Sequence, residues 1–322
     1  MNSVNVLILS AGHRVFLVQA FREAQRIREN SGLVIAADAE KLSPSLAAAD
    51  IGLVSPKTYD KDFNKWVNEI ATRYAPLLLL TNYERDLFIL EPMRSSLRKR
   101  QCKLIGMPIN SLEICLDKHK TAILCKKIGL QTPLYWTVEE VSNIAPKNFP
   151  LIAKEKYGRG SRGQYVINSP KELDLFLESN TSSIMLQQMV SGIEYGIDIV
   201  NDLNGKFAVV FARQKLLMRD GETSIAEIVE PQPFFEIAQL LSSHLAHQGC
   251  VDVDLIVSGS NMYILDINPR FGGGYPFSHF AGANLPATFL AWASEDLVDN
   301  TYFKPSIGQI SAKISSMHLI SE

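Results

Sequence analysis

The sequence lacks the hallmarks of several protein classes. It has only four cysteines, Cys102, Cys115, Cys125 and Cys250, and they do not have the spacing of metal ligands. They fit reduced thiols in a cytoplasmic protein rather than a disulfide framework. The net charge is −2 and no long run of like charge occurs, which argues against a nucleic-acid or membrane surface. No apolar run is long enough to span a bilayer, and we expect no signal peptide, because Met1–Ser10 lacks a charged n-region.

Familiar catalytic and nucleotide-binding motifs are also missing. The loop Ser10–Arg14 has one glycine in place of Gly-x-Gly-x-x-Gly, so the motif gives little support for a dinucleotide site. No phosphate loop ending in Gly-Lys-Ser/Thr is present. No Ser/His/Asp or Cys/His set stands out, and the histidines share no spacing, so we expect them to be structural. With 46% hydrophobic and 20% charged residues, the composition is that of an ordinary soluble globular protein.

Strand and helix patterns alternate in the first part of the chain. Helix patterns are present at Leu17, Phe21, Ala24 and Ile27 and over Asp60–Tyr74, and strand patterns over Val4–Leu9, Leu33–Ala37, Gly52–Ser55 and Leu77–Leu80. This alternation predicts a parallel sheet with helices on both faces. The later part of the chain reads as α+β, so the predicted fold class is α/β followed by α+β.

Two strand patterns joined by the turn Ser258–Asn261 carry regularly placed polar residues. In the second, a polar residue stands at every second position, Asp266, Asn268 and Arg270, and a period of two sends all three to one face. The turn would bring Asp254 beside Asp266. Two carboxylates and an amide oxygen form a pocket that suits Mg²⁺ and the phosphates it carries. The alternative to a metal site is that these Asp and Asn residues only form the turns that end the strands.

A second informative stretch combines a lysine with a glycine-rich loop. Lys154 stands on a strand that leads into Gly158, Arg159, Gly160, Ser161 and Gly163. Glycines allow the backbone to approach a ligand closely, and consecutive amides bind anions, so we expect a polyphosphate there. The alternative is a flexible hairpin turn.

A third stretch has the residues of an adenosine site. Gln188 and Glu194 flank the apolar link Met189-Val190. An adenine could hydrogen-bond this backbone while Glu194 accepts hydrogen bonds from the ribose hydroxyls. Lys118, in contrast, is by itself most simply a solvated charge on a helix.

Taken in order, these segments resemble an ATP-grasp enzyme. The resemblance is to the carbamoyl-phosphate-synthase-like branch and, more distantly, to biotin carboxylase and D-alanine–D-alanine ligase. It extends from the N-terminal sheet to about residue 300. It implies an N-terminal pre-ATP-grasp domain over residues 1–110, a small lobe over 111–186 and a larger lobe over 187–322.

The resemblance also implies roles for individual residues. Lys118 and Lys154 resemble the phosphate-binding cations, and Gly158–Gly163 the lid over the phosphates. Gln188, Met189, Val190 and Glu194 resemble the adenosine hinge. The residues that match the metal ligands are Asp254, Asp266 and Asn268. Arg270 matches the residue that holds the carboxylate or its acyl phosphate, and Arg213–Glu222 resembles the loop over the reaction centre, which makes Arg213 a catalytic candidate with Lys154 and Arg270.

Three positions depart from the family pattern. Gln188 replaces the usual glutamate of the hinge, and Asp266 replaces a glutamate at the main metal position, which shortens that arm by one methylene. After Arg270 the chain has Phe271-Gly-Gly-Gly274, where the synthase carries a further arginine. A triple glycine removes that cation and opens space, which favours a larger carboxylic acid.

The predicted function is ATP-dependent carboxylate–amine ligation through an acyl phosphate, with ATP and Mg²⁺ or Mn²⁺ as cofactors. The expected partners are a small carboxylic acid and an amine, with neither nucleic acid nor membrane; a homodimer remains open. Two alternatives remain: bicarbonate-dependent carboxylation or carbamoylation, and a nucleotide-binding protein that has lost turnover, for which Gln188 and Asp266 are the only hints.

Overall fold

A parallel sheet forms the N-terminal part of the fold. The computed structural model describes residues 4–29, 31–155, 165–179, 184–314, 317 and 319–320. The strands of this sheet are β1 (Val6–Leu9), β2 (Val34–Asp38), β3 (Ile51–Val54), β4 (Leu78–Thr81) and β5 (Lys103–Leu104). Their order is β3-β2-β1-β4-β5, and every neighbouring pair is parallel. The predicted alternation of strand and helix is thus confirmed for this region.

Helices cover both faces of this sheet because its central strands are apolar on both sides. The helices are α1 (Val15–Ile27), α2 (Pro44–Ala48), α3 (Phe63–Tyr74) and α4 (Leu87–Lys99). In β1, Leu7 lies in one core cluster with Phe63 of α3, whereas Ile8 lies in the other with Phe21 of α1. The predicted inward face of α1 is correct except for Ile27, which is 51% exposed at the helix end.

Two short helices lead out of the first domain. They are α5 (Ile109–Leu116) and α6 (Lys118–Lys127), with Asp117 between them. The Asp117 side chain caps α6 by accepting hydrogen bonds from the amides of His119 and Lys120. α5 begins at Ile109, after Pro108, and the chain is extended at Asp117, so α5 and α6 are separate helices.

Two antiparallel sheets follow. The small sheet has the order β6-β9-β7-β8, from strands β6 (Tyr135–Thr137), β7 (Leu151–Glu155), β8 (Tyr165–Ile167) and β9 (Ile184–Gln188). The large sheet has the order β14-β13-β10-β11-β12-β15, from strands β10 (Ile193–Asn201), β11 (Phe207–Arg219), β12 (Glu222–Val229), β13 (Gly249–Ser258), β14 (Asn261–Asn268) and β15 (Ile310–Ala312). The remaining helices are α7 (Pro170–Ser179), α8 (Phe235–Leu245), α9 (Tyr275–Phe280) and α10 (Leu285–Ser294).

The segment predicted as a loop over the reaction centre is mostly strand. β11 continues from Arg213 to Arg219, a turn follows at Asp220-Gly221, and β12 begins at Glu222. Strand alternation therefore controls which of these side chains face inward, which the loop interpretation did not anticipate. Among the described residues, no helix is long and apolar enough to cross a membrane.

The N-terminal domain and the large sheet share one hydrophobic core. Phe21 is fully buried and packs edge-on against Phe271, which follows β14, with ring centroids 6.4 Å apart. Phe271 in turn packs against Phe289 of α10 at 5.7 Å. This shared core fixes the position of the parallel sheet relative to the residues after β14.

We expect Phe21→Ala to lower the free energy of unfolding by about 3–5 kcal/mol, because the cavity would lie where two domains meet. Ile27→Ala, on the same helix but exposed, should change it by less than about 1 kcal/mol. Denaturant unfolding of both variants measures the difference. If both variants lost the same free energy of unfolding, the loss would come from the helix and not from the shared core.

Candidate active site

The predicted residues that the structure describes surround a single cleft. The cleft has a volume of about 330 Å³ and lies between the small and the large antiparallel sheets. Its lining includes Lys118, Lys154, Gln188, Met189, Val190, Glu194, Arg213, Asp254, Asp266, Asn268 and Arg270. The predicted glycine-rich residues Gly158, Arg159, Gly160, Ser161 and Gly163 lie outside the described residues.

The hairpin of β13 and β14 supplies the acidic side of the cleft. Its two-residue turn is Gly259-Ser260, and Asp254 pairs with Asp266 across the strands, as predicted. A β-bulge follows: Leu255 pairs with Ile264, so Leu265 is the extra residue. Both Leu265 and Asp266 consequently line the cleft, an arrangement that strict alternation does not predict.

Each carboxylate of this pair has a lysine partner. Lys118 Nζ lies 3.2 Å from both carboxylate oxygens of Asp266. Lys215 Nζ lies 2.6 Å from Asp254 Oδ1 and 3.8 Å from Glu194 Oε2. Lys215 was missed in the sequence, although its position two residues after Arg213 on a strand is the signal that could have found it.

Lys154 gives the cleft a cation with a perturbed pKa. It stands on β7 and faces Lys118 across the cleft. Burial, together with the like charge of Lys118, lowers the pKa of the Lys154 ammonium to about 8, against the attraction of Asp266, Glu194 and Asp254. A phosphate bound between the two lysines would relieve this repulsion.

Arg213 lies beneath the cleft in a buried ion network. Its side chain is 1% exposed, with Nη1 2.6 Å from Asp198 Oδ2 and Nη2 2.5 Å from Asp252 Oδ1. Ser278 Oγ also donates a hydrogen bond to Asp198. Because both ends of the guanidinium are held by protein carboxylates, we assign Arg213 to positioning the strands and not to contact with a substrate.

The three glycines after Arg270 differ in their surroundings. A Cβ on Gly272 would lie 2.2 Å from Asp252 Cγ, and one on Gly274 would lie 2.1 Å from Arg213 Nε. These two glycines are thus required by close packing against the ion network. A Cβ on Gly273 would make only ordinary contacts, so Gly273 is the one of these three glycines where a side chain would not clash.

Arg270 stands at the junction of the domains. Its Nε lies 3.4 Å from Glu84 Oε2 of the N-terminal domain, and its Nη2 lies 3.4 Å from Asn268 Oδ1. Nη1 donates to the Phe271 carbonyl at 3.1 Å. These contacts orient the guanidinium, while its 16% exposure leaves it accessible from the cleft.

The hinge has less free backbone than expected. The Gln188 amide donates to the Leu134 carbonyl at 2.9 Å, and the Met189 amide donates to the Pro150 carbonyl at 3.0 Å. The backbone amides of Gln188 and Met189 are therefore already paired, so an adenine cannot accept hydrogen bonds from them. Apolar side chains line this part of the cleft: Ile152, Met189, Val190, Ile256 and Leu265.

The predicted metal ligands form a donor set of two carboxylates and one amide. Asp254 and Asp266 are 29% and 31% exposed, so both are open to the cleft. In the part of the chain that the structure describes, no three His, Cys, Asp or Glu side chains cluster as metal ligands. Oxygen donors of this kind fit Mg²⁺, which keeps several waters and binds proteins through one or two carboxylates.

Comparison with known proteins identifies both parts of the chain. Residues 115–274 match the ATP-grasp domain family, and residues 6–105 match the PylC-like N-terminal domain family. The carbamoyl phosphate synthase large chain of Thermotoga maritima is 26% identical over 199 residues, which cover 56% of this chain and 18% of that protein. The chain thus spans about a fifth of the length of this relative.

Solved structures show the same fold. An ADP complex of N5-carboxyaminoimidazole ribonucleotide synthetase superposes with a TM-score of 0.72 at 17% identity, over 97% of this chain and 80% of that one. The L-amino acid ligase of Bacillus licheniformis superposes with a TM-score of 0.69 at 19% identity, over 95% of this chain and 78% of that one. The chain is an ATP-grasp protein with a PylC-like N-terminal domain, which confirms the predicted family and fold class.

We expect Arg213→Ala to lower the free energy of unfolding by about 3–5 kcal/mol, because two buried carboxylates lose their partner. Arg219→Ala, on the same strand but exposed, should cost less than about 0.5 kcal/mol. Urea unfolding of the two variants tests this. A loss below about 1 kcal/mol for Arg213→Ala would contradict a positioning role for the network.

Proposed function

We propose that this ATP-grasp protein is an ATP-dependent ligase that joins a small carboxylic acid to an amine, releasing ADP and phosphate. One observation carries the proposal: the Asp254–Asp266 carboxylate pair and the lysines Lys118, Lys154 and Lys215 meet in one cleft. Such a cleft has carboxylates for a divalent cation and ammonium groups for a polyphosphate.

The chemistry begins at a carboxylate, which is a poor electrophile. A carboxylate oxygen attacks the γ-phosphorus of ATP, the bond to the β–γ bridging oxygen breaks, and ADP leaves with the electron pair. The acyl phosphate is then attacked at carbon by an amine; the C–O bond breaks, phosphate leaves and the nitrogen loses a proton. Lys118 and Lys154 would neutralise the phosphates, and Arg270 would hold the carboxylate in line.

Mg²⁺, held by Asp254, Asp266 and Asn268, would supply charge neutralisation for the phosphate oxygens. Its binding would free Lys118 and Lys215 from their present partners. Both ammonium groups could then turn towards phosphate oxygens.

Release of ADP separates this proposal from its alternatives. The protein with Mg²⁺ and ATP is offered a panel of carboxylic acids, with and without amines. A ligase releases ADP only with an organic acid and forms an amide when an amine is present. Bicarbonate-dependent release without an organic acid would refute the proposal, and an inactive binder would give no release.

Asp266→Asn should lower turnover at least about 100-fold, because a metal ligand loses its charge. The melting temperature should change little, since this side chain is only partly buried. Asp174→Asn, on the exposed face of α7, is the matched control. Near-normal ADP release by Asp266→Asn would show that the metal ligands are assigned incorrectly.

ATP affinity should fall as the pH rises through about 8, because Lys154, with a pKa lowered to about 8, loses its proton. The charged form exists below that pKa and binds phosphate more tightly. Lys154→Arg should remove the fall, since arginine stays charged. Calorimetric titration with an ATP analogue at pH 7 and 9 measures the affinity, with Lys171→Arg as the control variant. An identical fall in affinity for Lys154→Arg would show that Lys154 is not the titrating group.

A further inference from the structure

A second cavity opens beside the nucleotide cleft. Its volume is about 1000 Å³, and it lies between the carboxyl edge of the parallel sheet and helix α9. Four residues line both cavities: Arg14, Glu222, Gly273 and Lys313. A ligand in the second cavity would therefore have one end at the reaction centre.

The junction of the two cavities contains the guanidinium of Arg14. Among the described residues, Arg14 has no hydrogen bond or ion pair from its guanidinium. Burial lowers the pKa of Arg14 and the like charge of Arg270 lowers it further, against the attraction of Glu222, Asp252 and Glu84. Because the net effect is a lowered pKa, an anion bound beside the Arg14 guanidinium would stabilise its charge.

The position of this anion follows from Gly273. A Cβ on Gly273 would lie 3.6 Å from Arg14 Nη1 and 3.9 Å from Lys313 Nζ. A carboxylate close to this point could contact both cations. Lys313 now pairs with Glu222 at 3.2 Å, but Glu222 is 69% exposed, so this surface pair is weak and can exchange.

The loop that carries Arg14 is held in place from two sides. The Gly12 amide donates to Asp38 Oδ2 at 2.6 Å, and Ser10 Oγ donates to Asp86 Oδ2 at 2.7 Å. Ser10 and Gly12 both have left-handed backbone conformations, with φ of 47° and 52°. The guanidinium therefore stands on a preorganised loop, which reduces the entropy cost of binding an anion.

Away from the junction, the wall of the cavity is largely apolar and aromatic. Phe16 packs edge-on against His279 at 5.3 Å, Phe277 is buried, and Phe280 is 73% exposed at the rim. Asn82 also lines the cavity, and neither its Nδ2 nor its Oδ1 has a hydrogen-bond partner among the described residues. An exposed aromatic ring at the rim and an apolar wall suit a ligand with an apolar body.

We propose that the acid substrate is a carboxylic acid with an apolar body of aromatic size. Its carboxylate lies over Gly273 between Arg14 and Lys313, beside Arg270, and faces the γ-phosphate. Its body fills the second cavity against Phe16, Phe277 and Phe280. This assignment rests on the proposed ligase function. Bicarbonate or a small polar acid would leave the apolar wall uncovered.

Matched acids test the assignment through ADP release. L-phenylalanine and 3-phenylpropanoate should give a kcat/KM on the order of 10- to 100-fold above L-aspartate and acetate. Arg14→Ala should raise the KM for the acid on the order of 10- to 100-fold and leave the KM for ATP unchanged. Arg26→Ala, exposed on the helix α1 that follows Arg14, is the control.

The aromatic wall needs its own variant because Arg14→Ala also alters the loop. Phe280→Ala removes an exposed ring with little risk to folding, and should reduce the preference for aromatic acids. Leu297→Ala changes an exposed apolar residue outside both cavities and should leave this preference unchanged. A change in the KM for the amine instead of the acid would overturn the proposal.

Calorimetric titration with L-phenylalanine separates the proposal from the ligase function. If L-phenylalanine binds and Arg14→Ala abolishes this binding, the cavity assignment is supported, even if no acid gives ADP release. The absence of ADP release would then refute only the ligase function. Equal use of small polar acids, or unchanged kinetics in Arg14→Ala, would overturn the assignment and leave ligation standing. Absence of both binding and turnover would refute both.

Discussion

The buried contact of Arg213 with Asp198 and Asp252 is the constraint on which the candidate site depends. It joins three neighbouring strands, β10, β11 and β13, and excludes any side chain at Gly272 or Gly274. Burial, together with the charge of Asp254, raises the pKa of Asp252 to about 6, although Arg213 opposes both effects. Burying such charges is costly, so the network is better explained by the geometry it imposes than by stability.

That geometry determines where the reacting groups would meet. Because the chain after β14 packs directly on the network, Gly273 faces the open junction of the two cavities. Arg270 is held there by Glu84 of the N-terminal domain, and Phe271 is packed against Phe21. The N-terminal domain therefore does more than complete the core: through Arg14 and Glu84 it forms one wall of the site.

Charge compensation explains how a cleft with so many charges is stable. Asp254 and Asp266 each have a lysine partner, whereas Lys154 and Arg14 face like charges. The excess of cations near the phosphate and carboxylate positions favours anionic ligands. An ATP-grasp fold with this cleft supports nucleotide-dependent ligation, and the adjoining aromatic cavity favours a particular class of acid.

Local patterns in the sequence determined much of this protein. A period of two placed Asp266 and Asn268 on one face, a short turn paired Asp254 with Asp266, and alternating apolar segments predicted the parallel sheet, whereas Arg270 lies after the end of β14. These features depend on neighbours in the chain, so the sequence reveals them. The bulge at Leu265, the burial of Arg213 and the partners of Lys118 and Lys215 were decided only by the tertiary structure. So was the meeting of Arg14, Gly273 and Lys313, because charge and burial depend on residues brought together from distant parts of the chain.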